Sequence, residues 1–184
     1  MIFGDVDLFA ISVVDAITDQ IENPDRRTAV TMNYYAAGVM LNDSGGSWER
    51  ANDLYDVLCD LRARLGRLDN AELWHVPGHV LLCAIAEKEY AIPAHSSVAQ
   101  DISAVDTKNL LVIPNNLETF DVGWTALVVG PSVCRVIGLK PHRDDALGDS
   151  ARITAADIVD VKVDRAAFSS VVSDAQSWLQ QRMR

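Results

Sequence analysis

The sequence has no basic residue before Arg26 and no lysine before Lys88. A secretory signal needs a basic start and a small-residue cleavage site, and a beginning that carries Asp5 and Asp7 shows neither. No apolar run approaches the roughly 18 residues that span a bilayer, so no membrane segment is expected. Cysteine is scarce, and Cys59, Cys83 and Cys134 are odd in number and widely spaced, unlike a disulfide framework. A reducing cytoplasm is the expected compartment. A phosphate-cradling glycine loop is also missing, because Gly45-Gly46 lacks the Lys-Ser/Thr that must follow it. No Gly-x-Ser-x-Gly elbow occurs, and no cofactor is expected.

What is present is an ordinary globular composition with a skewed charge. The 184 residues suffice for one hydrophobic core, and 49% apolar with 23% charged residues argues against disorder. A single α+β domain spanning 1–184 is expected, helical over 1–66 and strand-rich with a final helix over 67–184. Twenty-six acidic residues against sixteen basic ones give a net charge of −10. Residues 1–66 hold eleven acids against five arginines. Such a field repels nucleic-acid phosphates and anionic lipid, and steers a basic protein partner inward.

Hydrophobic periodicity orders the elements. Val6, Phe9, Val13 and Ile17 repeat at helical spacing, which predicts a first helix over 6–21, ended by Asn23-Pro24-Asp25. A second helix, capped by Asp25, is expected over 26–41, followed by the breaker Asn42-Asp43-Ser44-Gly45-Gly46. The third, capped by Ser47, carries Ala51, Leu54, Leu58, Leu61, Leu65 and Leu68 in one seam. These three form the predicted N-terminal helical layer. After Gly66 the runs 79–86, 109–113, 124–129 and 133–139 read as strands of a mainly antiparallel sheet. Gly130-Pro131-Ser132 suggests a hairpin, Ser97 caps a short helix over 98–105, and 141–151 reads as a polar loop. Residues 158–163 alternate as a half-buried strand, and Asp164 caps a last helix striped by Phe168, Val171, Val172, Ala175, Trp178 and Leu179.

Several groups have the right chemistry without a full motif. His75, His79 and Cys83 are zinc-ligand types, but Pro77-Gly78 separates the histidines and no glutamate completes a protease helix. Asp144 or Asp145 with Asp160-Val161-Lys162 matches the acid and acid-x-Lys pattern by which nucleases hold Mg²⁺. The acidic field is wrong for such an enzyme, and acid-x-Lys is a common triplet that alternating charges on a solvent-facing strand produce freely. His95-Ser96-Ser97 fits capping better than catalysis, and Lys140, His142 and Arg143 form a compact basic spot. Trp48, Trp74, Trp124 and Trp178 are scattered, with no interleaved bases to suggest stacking on nucleotides.

Three functional classes follow. The first is a non-enzymatic binding protein, in its concrete form an immunity- or antitoxin-type inhibitor whose acidic face covers a basic nuclease. Asp15, Asp19, Asp53, Asp56 and Asp60 would line that face. The second is a metal-dependent hydrolase using Asp145, Asp160 and Lys162. The third is a regulatory subunit that shares its leucine seam with another copy of itself.

Overall fold

The computed structural model describes residues 1–15, 29–41, 49–67, 70–94, 99–107, 111–113, 125–140 and 152–183. Their elements fall into two antiparallel sheets and four helices, so the fold is mixed α+β. The chain starts in strands, however, and the helical layer comes later. The first sheet holds β1 (Ile2–Asp5), β2 (Phe9–Asp15), β3 (Ala29–Ala36), β4 (Val39–Met40) and β5 (Glu49–Arg50), with β4 and β5 both paired to β3.

The expected helix over 6–21 is instead occupied by β2 in its described part. Phe9, Ile11 and Val13 point into the core, and Ala10 and Ser12 on the opposite face are buried too. A strand buried on both faces loses its period of two, and its apolar run then mimics a helical stripe. The expected helix over 26–41 is, in its described part, β3 and β4. Here a strand signal was available: Val30, Met32, Tyr34 and Ala36 are buried, while Thr31, Asn33 and Tyr35 between them are half-buried. Ala37 and Gly38, with φ of 49° and 74°, turn β3 into β4. Two positive-φ residues match the twist of a two-residue hairpin, which favours glycine in the second place.

The leucine helix is where the spacing predicts it, as α1 (Ala51–Leu65). Ser47 and Leu68 lie outside the described residues. Leu54, Leu58, Leu61 and Leu65 are buried among Phe168, Val171, Val172, Ala175 and Leu179 and the first sheet. The seam is therefore covered by the chain's own core, so a second copy does not share it. The run 79–86, expected as a strand, lies in α2 (Gly78–Tyr90). Val80 to Ala86 are buried on every side, so no period distinguishes helix from strand in that stretch. A short α3 (Ala99–Ser103) follows, as the capping signal near Ser97 predicts.

The second sheet has the order β6 (Leu111–Ile113), β7 (Thr125–Val129), β8 (Val133–Leu139), β9 (Ile158–Asp164). Gly130-Pro131-Ser132 joins β7 to β8 as a hairpin. Leu127, Val129, Cys134, Val136, Val159 and Val163 face the first core, with the first sheet and α1. Ala126, Val128, Ile137 and Leu139 face a second core built on α2 and α3.

The last helix, α4 (Arg165–Arg182), starts at Asp164, whose carboxylate accepts from the Ala167 amide at 2.9 Å. Arg165 then donates to the carbonyls of Gly130, at 2.9 Å, and Leu65. It thereby ties the start of α4 to the hairpin and to the end of α1. Phe9 and Phe168 stack with ring centroids 4.4 Å apart, locking α4 onto β2.

Leu58→Ala, which empties a fully buried site, is expected to cost about 2–5 kcal/mol in urea unfolding, and Asp164→Ala about 1 kcal/mol. Burial pushes the Cys134 thiol up to about 11 from its ordinary 9.0. Below pH 9 both native and unfolded chains hold that proton; between about 9 and 11 only the native chain does. Stability measured against pH should therefore fall across this window, and Cys134→Val should flatten the decline.

Candidate functional site

Three of the acids expected on a binding face share one helix. Asp53, Asp56 and Asp60 on α1 follow i, i+3, i+7 spacing, which sets them along one flank. Asp53 lies in the first turn, where the positive end of the helix favours a carboxylate. Asp60 pairs with exposed Arg64 one turn later at 3.7 Å, a surface pair of small energetic weight.

Asp15 ends β2 beside Val30, and Val30 lies beside Glu49 of β5. Asp15 is thus two strand spacings, roughly 9–10 Å, from the strand that leads into α1. Its carboxylate is gripped by Arg182, with both oxygens accepting at 3.0 Å. The Arg182 guanidinium also lies 4.4 Å from the Trp178 ring centroid. Asp15 consequently contributes little free charge. Asp19 falls outside the described residues.

Beside the acidic flank runs a feature the sequence reading missed. Tyr55 and Arg62 of α1 face Ser173, Gln176, Ser177 and Gln180 of α4 across a polar groove of about 110 Å³. Gln176 is buried and holds the groove floor: its amide nitrogen donates to Cys59 Sγ at 2.9 Å, and its oxygen accepts from Arg62 at 3.4 Å. Hydrogen bonding to the Cys59 thiol, with the charge there, raises the Tyr55 phenol above its ordinary value. A helical wheel carries the signal, because Tyr55, Cys59 and Arg62 follow i, i+4, i+7 next to the leucine seam. Which helix that stripe meets is a tertiary fact.

The metal candidates do not assemble. His75 is exposed at the end of a 3-10 helix (Ala71–His75), His79 is half-buried at the start of α2, and Cys83 is buried. Burial raises the Cys83 thiol and disfavours the thiolate that zinc needs. Among the described residues no three His, Cys, Asp or Glu side chains converge as a metal site.

Asp160 and Lys162 do share a face of β9, as alternation predicts, but they flank Arg135 of β8. Arg135 donates to both Asp160 oxygens, at 2.8 and 2.5 Å, and to the carbonyls of Trp74 and Val76 at 3.1 and 2.7 Å. Lys162 lies over the Trp74 ring, 5.4 Å from its centroid. The Asp160 carboxylate is thus committed to a guanidinium, and this corner pins the second sheet to the Ala71–His75 turn. Asp144 and Asp145 lie outside the described residues, as do His95, Ser96, Ser97, His142, Arg143, Trp48 and Trp124. Lys140 donates to the Ala156 carbonyl at 2.9 Å. Among the described residues no helix is long and apolar enough to cross a membrane.

No family model and no curated protein matches the chain. Its fold is similar to that of CdiI from Burkholderia dolosa AUO158. That crystal structure superposes with a TM-score of 0.62, covering 97% of this chain and 99% of that one. Sequence identity is 16%, so the likeness is one of fold. It extends over both sheets and the α1–α4 layer that carries the acids and the groove.

The Arg135 corner yields a stability prediction. Arg135→Ala leaves the Trp74 and Val76 carbonyls and a partly buried carboxylate without their donor. Because Asp160 keeps some solvent access, the cost should fall at the lower end of about 3–5 kcal/mol. Arg135→Met with Asp160→Leu, measured in the same urea series, should cost less than Arg135→Ala alone.

Proposed function

We propose that this chain is an acidic protein-binding module, a one-domain immunity- or antitoxin-type inhibitor that acts in the cytoplasm by occupying a basic toxin, such as a nuclease. The observation that carries the reading is the end-to-end fold likeness to CdiI, an immunity protein of contact-dependent inhibition. A fold by itself hosts many functions, so the site must supply the rest. Asp53, Asp56 and Asp60 stand in a row on a rigid helix and offer the field that a basic partner would meet. Asp160 and Lys162, the residues of the hydrolase alternative, are held by Arg135 and Trp74.

Inhibition here requires no chemistry on the partner, only coverage of its working surface. Complementary charge would speed the encounter, and shape would then set the lifetime of the complex. The test uses the purified chain and a basic, toxin-like protein, sought first in the reading frames adjacent to its gene. The expected result is saturable binding that suppresses that protein's activity. Its association rate should fall at least about tenfold between 50 and 500 mM NaCl, and Asp53→Asn, Asp56→Asn and Asp60→Asn together should produce a comparable fall at low salt. Absence of binding, or binding indifferent to salt and to the triple substitution, would overturn the proposal.

A further inference from the structure

Within that binding reading, on which the following rests, the groove between α1 and α4 has a chemistry opposite to its surroundings. Among the described residues its walls carry one cation, Arg62, and no carboxylate. The other lining groups are the phenol of Tyr55, the hydroxyls of Ser173 and Ser177, and the amides of Gln176 and Gln180. Arg182 and Arg64, on the same two helices, already have carboxylates at 3.0 and 3.7 Å. Arg62 has instead the neutral amide oxygen of Gln176, at a long 3.4 Å. Gln176 is itself buried and fixed by Cys59, so it orients the guanidinium without neutralising it.

We infer that this groove receives the carboxylate of an aspartate or glutamate side chain on the partner protein, with Arg62 as its counter-ion. The volume of about 110 Å³ suits a side-chain tip; small-molecule sites usually need about 300 Å³ or more. A guanidinium offers a carboxylate two parallel donors, and the neighbouring hydroxyls and amides can satisfy its remaining lone pairs. The row Asp53, Asp56, Asp60 on the same helix makes the pocket selective. A polyanion such as nucleic acid would be repelled by that row before reaching Arg62. A single carboxylate set in a basic protein surface brings the cations that the row attracts.

The test is a binding series with the basic partner found by the preceding assay. Arg62→Ala should raise Kd at least tenfold, mainly through faster dissociation. Arg62→Lys, which keeps charge and loses the fork, should raise it less. Ser177→Glu, which keeps Arg62 and sets a carboxylate in the groove, should also weaken binding; unchanged thermal midpoints would show that the variants fold. Alanine substitution of the partner's acids in turn should find one whose effect is non-additive with Arg62→Ala. If Arg62→Ala and Ser177→Glu leave Kd within twofold while the triple aspartate substitution still slows association, the groove inference is wrong and the acidic-face reading stands. If the wild-type chain does not bind at all, both fall together.

Discussion

The antiparallel packing of α1 on α4 is the constraint from which the outer surface follows. The leucine seam of α1 meets the stripe of Phe168, Val171, Val172, Ala175 and Leu179, and both are buried against the first sheet. Arg165, bonded to the carbonyls of Leu65 and Gly130, fixes the register at one end. Arg182, bonded to Asp15, closes the other. With the axial register set, Tyr55, Cys59 and Arg62 have to face Ser173, Gln176, Ser177 and Gln180. The groove and the acidic flank are therefore two sides of one packing solution.

Legibility in the sequence varied with how one-sided each element is. Elements with one wet face declared themselves: α1 through its leucine spacing, α4 through the Asp164 cap and its stripe, and β9 through strict alternation. Elements wrapped on both sides did not. β2 carries apolar side chains on both faces, and Val80 to Ala86 of α2 are buried all round, so each lost the period that names it. β3 is different, because its alternation was present and its Ala37-Gly38 turn was readable. There the alanines and methionines suit a helix, but Val30, Thr31 and the tyrosines favour the strand that forms.

The site was legible in part, for a related reason. A row of acids at helical spacing is local information, and Asp53, Asp56 and Asp60 do share a flank. Whether a charge is free is non-local. Asp15 looked equivalent to the others, yet the far end of the chain supplies its guanidinium. Asp160 looked like a metal ligand, yet Arg135 of the adjacent strand reaches across to hold it. The triplet of Asp160, Val161 and Lys162 gave the correct shared face and no hint of the partners on it. Contacts between elements distant in the chain, which a single sequence does not encode locally, decided both cases.

The spacing of the acids also limits what they can do alone. From Asp53 to Asp60 the helix rises about 10 Å, close to the screening length of about 8 Å at physiological salt. At low ionic strength the row acts as one field; at cellular ionic strength its two ends are largely screened from each other, while neighbours one turn apart still act together. Steering by exposed acids sets how often a partner arrives, while the lifetime of a complex depends on contacts that exclude water. A flank of exposed acids supplies few such contacts. Beside it lies a concave, hydrogen-bonding feature, the α1–α4 groove, where Gln176 is buried and Arg62 is already oriented. A long-lived complex on this helix layer therefore needs the groove as well as the charge, and the two lie on the same rigid support.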